Sequence, residues 1–233
     1  MTSDNWSDPD LARRWSEDNT SRNPLRLPQL EMLLAILEDE FEPGKTILDL
    51  GYGSGIVEQM IFERIPHAQI VGVDRSEAMM ALAAERLKPY PFRFISVPFN
   101  LAELPSIIGP ASPLPRQQYQ IVISVQALHH LTIEQMQAAY LTIYDILKPQ
   151  GLFLLVDRIA VSTPHLWSTY RSLWRLLNVD EGETYEQHRA QVAARGDLPA
   201  PLEQHLRWLN DAGFEAACLH LHTNRALIAA RKP

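Results

Sequence analysis

Cysteine is almost absent from this sequence, because Cys218 is the single one among 233 residues. One thiol excludes internal disulfides and a thiolate-rich metal site, and it fits a reducing compartment. Long apolar runs are missing too, since none approaches the roughly 20 residues that a membrane-spanning helix needs. The first residues are polar and acidic, without the basic start and apolar stretch of a secretory signal. We therefore expect a cytoplasmic protein with no membrane segment.

An excess of basic residues is also lacking, because the formal net charge is −7. Proteins that bind nucleic acid usually present a basic face, so the charge argues against such a partner, although a local basic patch stays open. The length and the 46% content of hydrophobic residues are enough for one domain with a sizeable core and an appendage.

The chain alternates short β-rich runs with helical patterns and contains no internal repeat. This alternation is typical of a doubly wound, mostly parallel α/β sheet. Strands are predicted at 46–50, 69–73, 92–97, 119–125 and 152–157, followed by a hairpin of 214–222 and 225–231. Helices are predicted at 27–40, 55–64, 77–88, 133–147 and 205–212, with Ser76 as an N-cap. A proline-rich loop through Pro115 covers a short helix near Ala102, and residues 149–151 form a turn before the fifth strand.

The most informative segment is 47–55, which reads Ile-Leu-Asp-Leu-Gly-Tyr-Gly-Ser-Gly. An apolar strand ends there in alternating glycines, just before an amphipathic helix begins. Without a Cβ, Gly51, Gly53 and Gly55 allow a tight turn and a close approach of the backbone to a ligand. Asp74 closes the next strand, where a carboxylate can accept the two hydroxyls of a ribose.

The glycine spacing separates two ligand classes that share this architecture. A dinucleotide fingerprint places its third glycine three positions beyond the second, and this chain has Ile56 there. Together with Asp49 and Asp74, the motif resembles that of the class I S-adenosylmethionine (SAM) methyltransferases, which has the form Asp-x-Gly-x-Gly-x-Gly. The resemblance covers residues 42–157 well and the final hairpin more loosely. A nicotinamide-binding Rossmann protein remains the alternative.

The resemblance implies a seven-stranded sheet whose last strand enters antiparallel between its neighbours. It also implies SAM as cofactor, with S-adenosylhomocysteine (SAH) as product, and methyl transfer to an acceptor that we expect to be a small molecule. The core would comprise residues 41–157 and 203–233, flanked by an N-terminal helical segment, 1–40, and a helical insertion, 158–202. Trp167, Tyr170, Trp174 and Leu177 form an aromatic stripe in the insertion. The stripe is explained either by core packing or by a substrate lid formed with the N-terminal segment.

The resemblance also implies a set of cofactor contacts: Asp49, Gly51, Tyr52, Gly53, Gly55, Asp74, Arg75, Met79, Asn100, Leu101 and Val125. Asp49 would hold the ammonium end of SAM, and Asp74 would take the ribose hydroxyls. Asn100 occupies a slot that is usually acidic in the family, and its amide oxygen can still accept a hydrogen bond from the adenine amine. Structural roles stay open for these three residues, as helix caps or as a turn.

His129 and His130 follow the fourth strand, at the sheet edge where open α/β proteins bind ligands. Their unperturbed pKa of about 6.5 suits a general base, which is needed only if the acceptor loses a proton. A structural, hydrogen-bonded role is the alternative for both. The remaining candidate ligands, His165, His188, His205, His220 and His222, show no metal-binding spacing, so we expect no metal.

Other functions stay open at this point. A tRNA or protein methyltransferase would show a basic stripe around the pocket, another SAM-using transferase would share the fold, and a non-catalytic SAM-binding protein would show no turnover. The sequence does not fix the oligomeric state, and a homodimer is compatible with it.

Overall fold

The computed structural model describes residues 6, 8–18, 23–107, 114 and 119–233. In chain order the α-helices are α1 (Pro9–Asp18), α2 (Arg26–Glu40), α3 (Ile56–Arg64), α4 (Glu77–Arg86), α5 (Ile133–Ile146), α6 (Trp167–Leu176), α7 (Tyr185–Ala194) and α8 (Leu202–Asp211). The strands are β1 (Thr46–Leu50), β2 (Gln69–Asp74), β3 (Phe94–Pro98), β4 (Tyr119–Val125), β5 (Leu147–Arg158), β6 (Glu215–His222) and β7 (Arg225–Arg231). The predicted loop through Pro115 lies largely outside the described residues, and a short 3-10 helix, Leu101–Ile107, covers the position expected near Ala102.

The seven strands form one sheet in the order β3-β2-β1-β4-β5-β7-β6. Strands β1 to β5 pair in parallel, whereas β7 pairs antiparallel with both β5 and β6. The predicted doubly wound fold and the antiparallel last strand between its neighbours are therefore confirmed.

Alternation along the central strands builds two hydrophobic layers, one on each face of the sheet. In β1, Leu48 and Leu50 belong to the layer under α5 and α8, while Ile47 belongs to the layer under α2 and α3. All three side chains are fully buried. A strand covered on both faces reads as a nearly continuous apolar run, which is why β1 was predictable to the residue.

Strand β5 begins earlier than predicted, because residues 147–151 are strand rather than a turn. Leu147 already pairs with Tyr119, and the register then shifts before Ile121 meets Leu152. The backbone of 149–151 is tied to the end of the chain: Gln150 donates its N–H to the Lys232 carbonyl, and the Lys232 N–H bonds to the Gly151 carbonyl. The prediction was wrong because these partners lie some eighty residues away.

Smaller differences have local causes. Strand β3 starts at Phe94 instead of residue 92, because Phe92 is fully exposed in the left-handed region at φ +65°. Helix α8 starts at Leu202, three positions before the predicted start, and Gly213 at φ +103° follows its end as expected.

The aromatic stripe packs inside the insertion itself. Trp167 and Trp174 are buried against each other, with ring centroids 4.9 Å apart, and they form a small cluster with Val161. Trp167 also contacts His188 of α7. Among the helices of the described ranges, none is long and apolar enough to cross a membrane.

Candidate functional site

A cleft opens at the carboxyl ends of β1, β2 and β4, the edge at which open α/β sheets bind ligands. It contains about 1000 Å³ of space between atoms, its open mouth included, which is the size of a small-molecule site. The core residues that line it are Asp49, Gly51, Tyr52, Gly53, Ser54, Ile56, Val57, Asp74, Arg75, Ser76, Met79, Phe99, Asn100, Leu101, Ala102, Val125, Gln126, Ala127, His130 and Leu131. The structure therefore brings together at this cleft ten of the eleven residues expected to hold the cofactor, Gly55 being the exception.

The glycine loop forms the floor of the cleft. Gly51 has φ +86°, and a Cβ there would overlap the Cβ of Ala127 beside β4. Gly53 has φ +60°, with no atom within 4 Å of the place where its Cβ would stand. Gly51 is thus required by close packing, whereas Gly53 leaves open space beside its backbone.

Gly55 lies outside the cleft and has a packing role. It caps the start of α3 at φ +77°, and a Cβ there would stand 3.1 Å from Ala83 of α4. The close approach of α3 to α4 explains this glycine without any ligand.

Asp74 joins β2 to the glycine loop. Its Oδ2 accepts a hydrogen bond of 2.9 Å from the Gly53 N–H, and its Oδ1 accepts one of 2.9 Å from the Ser76 N–H. Burial raises the pKa of Asp74, against the effect of these donors. Each oxygen keeps a second lone pair, so the structural bonds leave the carboxylate able to accept hydroxyl groups. Ser76 in turn caps α4, as predicted, by accepting from the Met79 N–H.

Two further carboxyl groups lie beneath the loop. Asp49 and Glu58 are 1% and 0% exposed, and among the described residues their side-chain oxygens have no hydrogen-bond partner except each other, when one of the two carboxyl groups is protonated. Burial raises the pKa of Asp49 to about 6, an effect that the nearby Glu58 reduces and the charge of Asp74 increases. Burial and the neighbouring Asp49 raise the pKa of Glu58 well above its ordinary range. Of the two, Asp49 lines the cleft, and a buried carboxylate without a cationic partner is suited to a cationic ligand group.

The opposite end of the cleft is mostly apolar. Met79 and Val125 are buried, Leu101 is half-buried, and Arg75 is exposed at the rim. Asn100 accepts a hydrogen bond of 3.2 Å from the Ala102 N–H, so its side chain shapes the turn into the 3-10 helix. A carbonyl oxygen has two lone pairs, and one remains for a ligand.

Tyr52 links the loop to the sheet. Its hydroxyl lies 2.6 Å from Ser96 Oγ, and its ring packs edge-on against Phe94. Burial raises the pKa of Tyr52 to about 12. This residue therefore stays neutral and fixes the position of the loop beside β2 and β3.

The two histidines differ in access. His129 is buried outside the cleft. Its ring Nδ1 lies 2.5 Å from Asp157 Oδ1, and its backbone N–H donates to Asp157 Oδ2 at 3.0 Å. His130 lines the cleft with its side chain 26% exposed. Burial, and then the charge of His129, lower the pKa of His130 to about 4, so its imidazole is neutral near pH 7.

Asp197, from the insertion, completes this group. Ligand atoms of His129, His130 and Asp197 lie within 4.8 Å of one another, a grouping that could hold a metal ion and that sequence spacing did not reveal. The network already has internal partners, because Arg158 donates to Asp197 and Asp157 accepts from His129. A guanidinium on the shared carboxylate opposes a divalent cation, so the arrangement favours an ion-pair network.

Three residues of the N-terminal segment also line the cleft, and the sequence did not mark them as site residues: Trp6, Trp15 and Arg26. Trp6 packs edge-on against both Trp15 and His130, and Arg26 lies over the Trp15 ring at 5.6 Å. Ser76 donates to the Trp6 carbonyl, which fastens the segment to the mouth of the cleft. No residue of the insertion, 158–202, lines this cleft, whereas several of its residues between Arg158 and Arg195 line a different cavity.

Residues 47–151 match a family model described as a methyltransferase domain. A trans-aconitate 2-methyltransferase of Acidovorax sp. is 36% identical over 85 residues, which cover 36% of this chain and 30% of that protein. A malonyl-[acyl-carrier protein] O-methyltransferase of Anoxybacillus flavithermus is 25% identical over 131 residues, 56% of this chain and 46% of that protein. The chain thus spans less than half the length of these curated relatives.

The fold has a counterpart in a solved structure of phosphoethanolamine N-methyltransferase 2 from Haemonchus contortus in complex with S-adenosyl-L-methionine. The TM-score is 0.65 at 18% identity, and the match covers 87% of this chain and 52% of that one. At this identity the likeness concerns the fold alone.

Proposed function

We propose that the protein, whose residues 47–151 match a methyltransferase domain, transfers a methyl group from SAM to a small-molecule acceptor. The observation that carries the proposal is the buried carboxyl group of Asp49, which lines the cleft beside the open backbone of Gly53 and has no cationic or N–H partner among the described residues. A glycine loop with such a carboxyl group below it suits the ammonium end of an amino-acid cofactor.

The chemistry of the residues that line the cleft supports binding of three parts of SAM: the ammonium, the ribose and the adenine. Asp49 would hold the ammonium, and the free lone pairs of Asp74 would accept the ribose hydroxyls. Met79, Leu101 and Val125 would cover the adenine, and the amide oxygen of Asn100 would accept from its amine.

SAM, when bound, supplies a methyl group on a sulfonium centre with a neutral leaving group. The chain contributes alignment and exclusion of water, which are the main demands of such a transfer. The N-terminal segment contributes to the exclusion of water, because Trp6 and Trp15 lie at the mouth of the cleft.

We propose that the acceptor carries a carboxylate. Arg26 lines the cleft, is 7% exposed and has no carboxylate partner among the described residues. Burial lowers the pKa of Arg26 to about 10, which still leaves it charged near pH 7. A buried, uncompensated guanidinium is best satisfied by an acidic ligand. Two relatives, named for trans-aconitate and malonyl-[acyl-carrier protein], are named for acidic acceptors.

A carboxylate acceptor also explains the histidines. It is already ionised near neutral pH, so its oxygen can attack without a general base. The low pKa of His130 would make that residue a weak base in any case. We therefore assign His130 to contact with the acceptor, and His129, which pairs with Asp157, to positioning His130.

The cofactor assignment predicts the outcome of a calorimetric titration with SAH. Wild-type protein is expected to bind SAH and not NAD, and Asp74→Ala is expected to weaken SAH binding by about 1–3 kcal/mol, since ligand hydroxyls and two backbone N–H groups lose their acceptor. Asp39→Ala removes an exposed carboxylate of α2 outside the cleft and serves as the control. Equal SAH affinity in wild type and Asp74→Ala would refute the ribose assignment, and absence of SAH binding to wild type would refute the function. The acceptor class is then tested by SAH release with acids, amines and alcohols.

The pKa of Asp49 predicts how SAH affinity depends on pH. Because the folded-state pKa of about 6 lies above the ordinary value, ligand-free protein keeps the Asp49 proton after the unfolded chain has lost it. Stability therefore falls as the pH rises from about 4 to about 6. An ammonium ligand favours the ionised form, so SAH affinity is expected to rise across the same range, with release of a proton.

Calorimetry in buffers of different ionisation enthalpy measures that proton directly. Asp49→Asn is expected to abolish the pH dependence, and 5′-methylthioadenosine, which lacks the amino-acid part, is the matched ligand control. A flat SAH affinity between about pH 5 and pH 7 would contradict the placement of the ammonium at Asp49.

A further inference from the structure

A second cavity lies apart from the cofactor cleft, between the insertion, the chain before α2 and the β6–β7 turn. It contains about 750 Å³ of space between atoms, its open mouth included. Its lining residues are Asn23, Pro24, Arg158, Trp174, Leu177, Val179, Glu181, Glu183, His188, Gln191, Val192, Arg195, His222, Thr223, Asn224 and Arg225. Among the described residues, none lines both cavities.

One wall of this cavity is strongly basic. Arg158 ends β5, Arg225 begins β7, and the two are direct partners in the antiparallel pairing of these strands. Arg195 follows the end of α7. Like charges placed opposite each other on neighbouring strands are destabilising, so the arrangement has a cost that the fold alone does not explain.

The positive charge is only partly compensated. Arg158 donates to Asp197, but within the described parts of the chain no carboxylate lies at ion-pair distance from Arg225 or Arg195. Within the described ranges, the guanidinium of Arg225 makes one hydrogen bond, of 3.3 Å, to the Asn224 carbonyl. Burial, and then the charges of Arg158 and Arg26, lower the pKa of Arg225 to about 9, although the charges of Asp157 and Asp197 act in the opposite direction. Arg225 therefore still carries its charge near pH 7.

Three buried nitrogens of the lining residues have no hydrogen-bond partner among the described residues: Arg158 Nε, Arg225 Nε and His222 Nε2. Buried polar groups are satisfied in the great majority of cases. His222 Nε2 is a donor in one tautomer only, whereas the Nε–H groups of Arg158 and Arg225 are donors in every case. A ligand that accepts hydrogen bonds therefore suits the guanidinium groups of this wall.

Acidic residues stand elsewhere around the cavity. Glu183 Oε1 lies 2.7 Å from His188 Nδ1, and Glu181 is exposed. Neither forms an ion pair with the arginines. Glu183 Oε2 is buried without a hydrogen-bond partner among the described residues.

We propose that this cavity binds a small oxyanion, a carboxylate or a phosphate, through Arg225 and Arg158. A guanidinium presents N–H groups in a planar fork that matches the paired oxygens of either anion. The site is separate from the proposed methyl-transfer cleft and does not depend on its function.

The test is calorimetric titration of the full chain with inorganic phosphate and with malonate, at constant ionic strength. The expected result is saturable binding of at least one anion, weakened at least about tenfold in Arg225→Gln, which corresponds to about 1.4 kcal/mol. Arg207→Gln, at an exposed position of α8 outside the cavity, is the matched control and is expected to bind as wild type. Preference for one anion identifies phosphate or carboxylate as the natural group.

Two further readouts separate this site from the cofactor cleft and from unfolding. Arg225→Gln is expected to melt no lower than wild type, because the substitution removes repulsion from Arg158. Anion affinity is expected to be unchanged with saturating SAH. The proposal is overturned if neither anion binds, if Arg225→Gln and Arg207→Gln bind alike, or if SAH displaces the anion.

Discussion

Replacing Asp157 with alanine is expected to lower the free energy of unfolding by about 3–5 kcal/mol, because three donors lose their acceptor at about 1–3 kcal/mol each. Asp157 is 1% exposed and accepts three hydrogen bonds, from the His129 N–H, the His129 ring and the Arg158 N–H. Alanine leaves all three donors buried without an acceptor. Urea unfolding measures the loss.

Asparagine at the same position is the matched control. Asp157→Asn keeps one oxygen of similar placement, so it is expected to lose less stability than alanine. Equal urea midpoints for Asp157→Ala and wild type would show that the pair contributes nothing.

The effect of Asp157 also depends on pH. Burial by itself raises the pKa of Asp157, but His129 and the N–H donors outweigh it, and the pKa lies below its ordinary value. The stabilisation is therefore complete above the pKa of the unfolded chain and disappears as the pH falls through the folded-state value. The difference between wild type and Asp157→Ala should shrink accordingly in acid.

The second large effect is expected for Gly51→Ala. The new Cβ would overlap the Cβ of Ala127, and φ +86° is strained for alanine. Overpacking costs about 1–3 kcal/mol and the left-handed conformation about 1–2 kcal/mol, so stability falls by about 2–5 kcal/mol. Because relief of the overlap moves the loop, SAH affinity should fall by about two orders of magnitude, as expected when contacts to a charged ligand are misaligned.

Gly44→Ala separates the two causes. Gly44 has nearly the same φ, +84°, but no atom lies within 4 Å of its Cβ position. It should show the conformational cost alone and bind SAH normally. If both variants lose stability equally, contact with Ala127 is not the reason why glycine is required at position 51.

The parts of the molecule that the sequence predicts are those whose cause is local. Strand β1, the glycine loop and Asp74 follow one another within a short stretch, and burial on both faces makes the strands strongly apolar. The antiparallel place of β7 followed from the family resemblance, and the structure confirms it.

The missed features depend on partners that are distant in sequence. The start of β5 is set by Lys232, and Asp197 reaches the histidines from the insertion. Arg26 is one cation at the start of a helix, and no periodicity distinguishes it from a surface residue. The residues that line the second cavity come from four separated stretches of the chain, so no sequence motif predicts this cavity.

The position of β7 between β5 and β6 fixes the order in which the sheet can be completed. Strand β5 pairs on one side with β4 and on the other only with β7, which comprises Arg225–Arg231. While the ribosome is still producing the residues before 225, β5 has a bare, hydrophobic edge of the kind that recruits other chains. This edge of β5 is thus closed only after β7, which follows it by more than sixty residues, has been made.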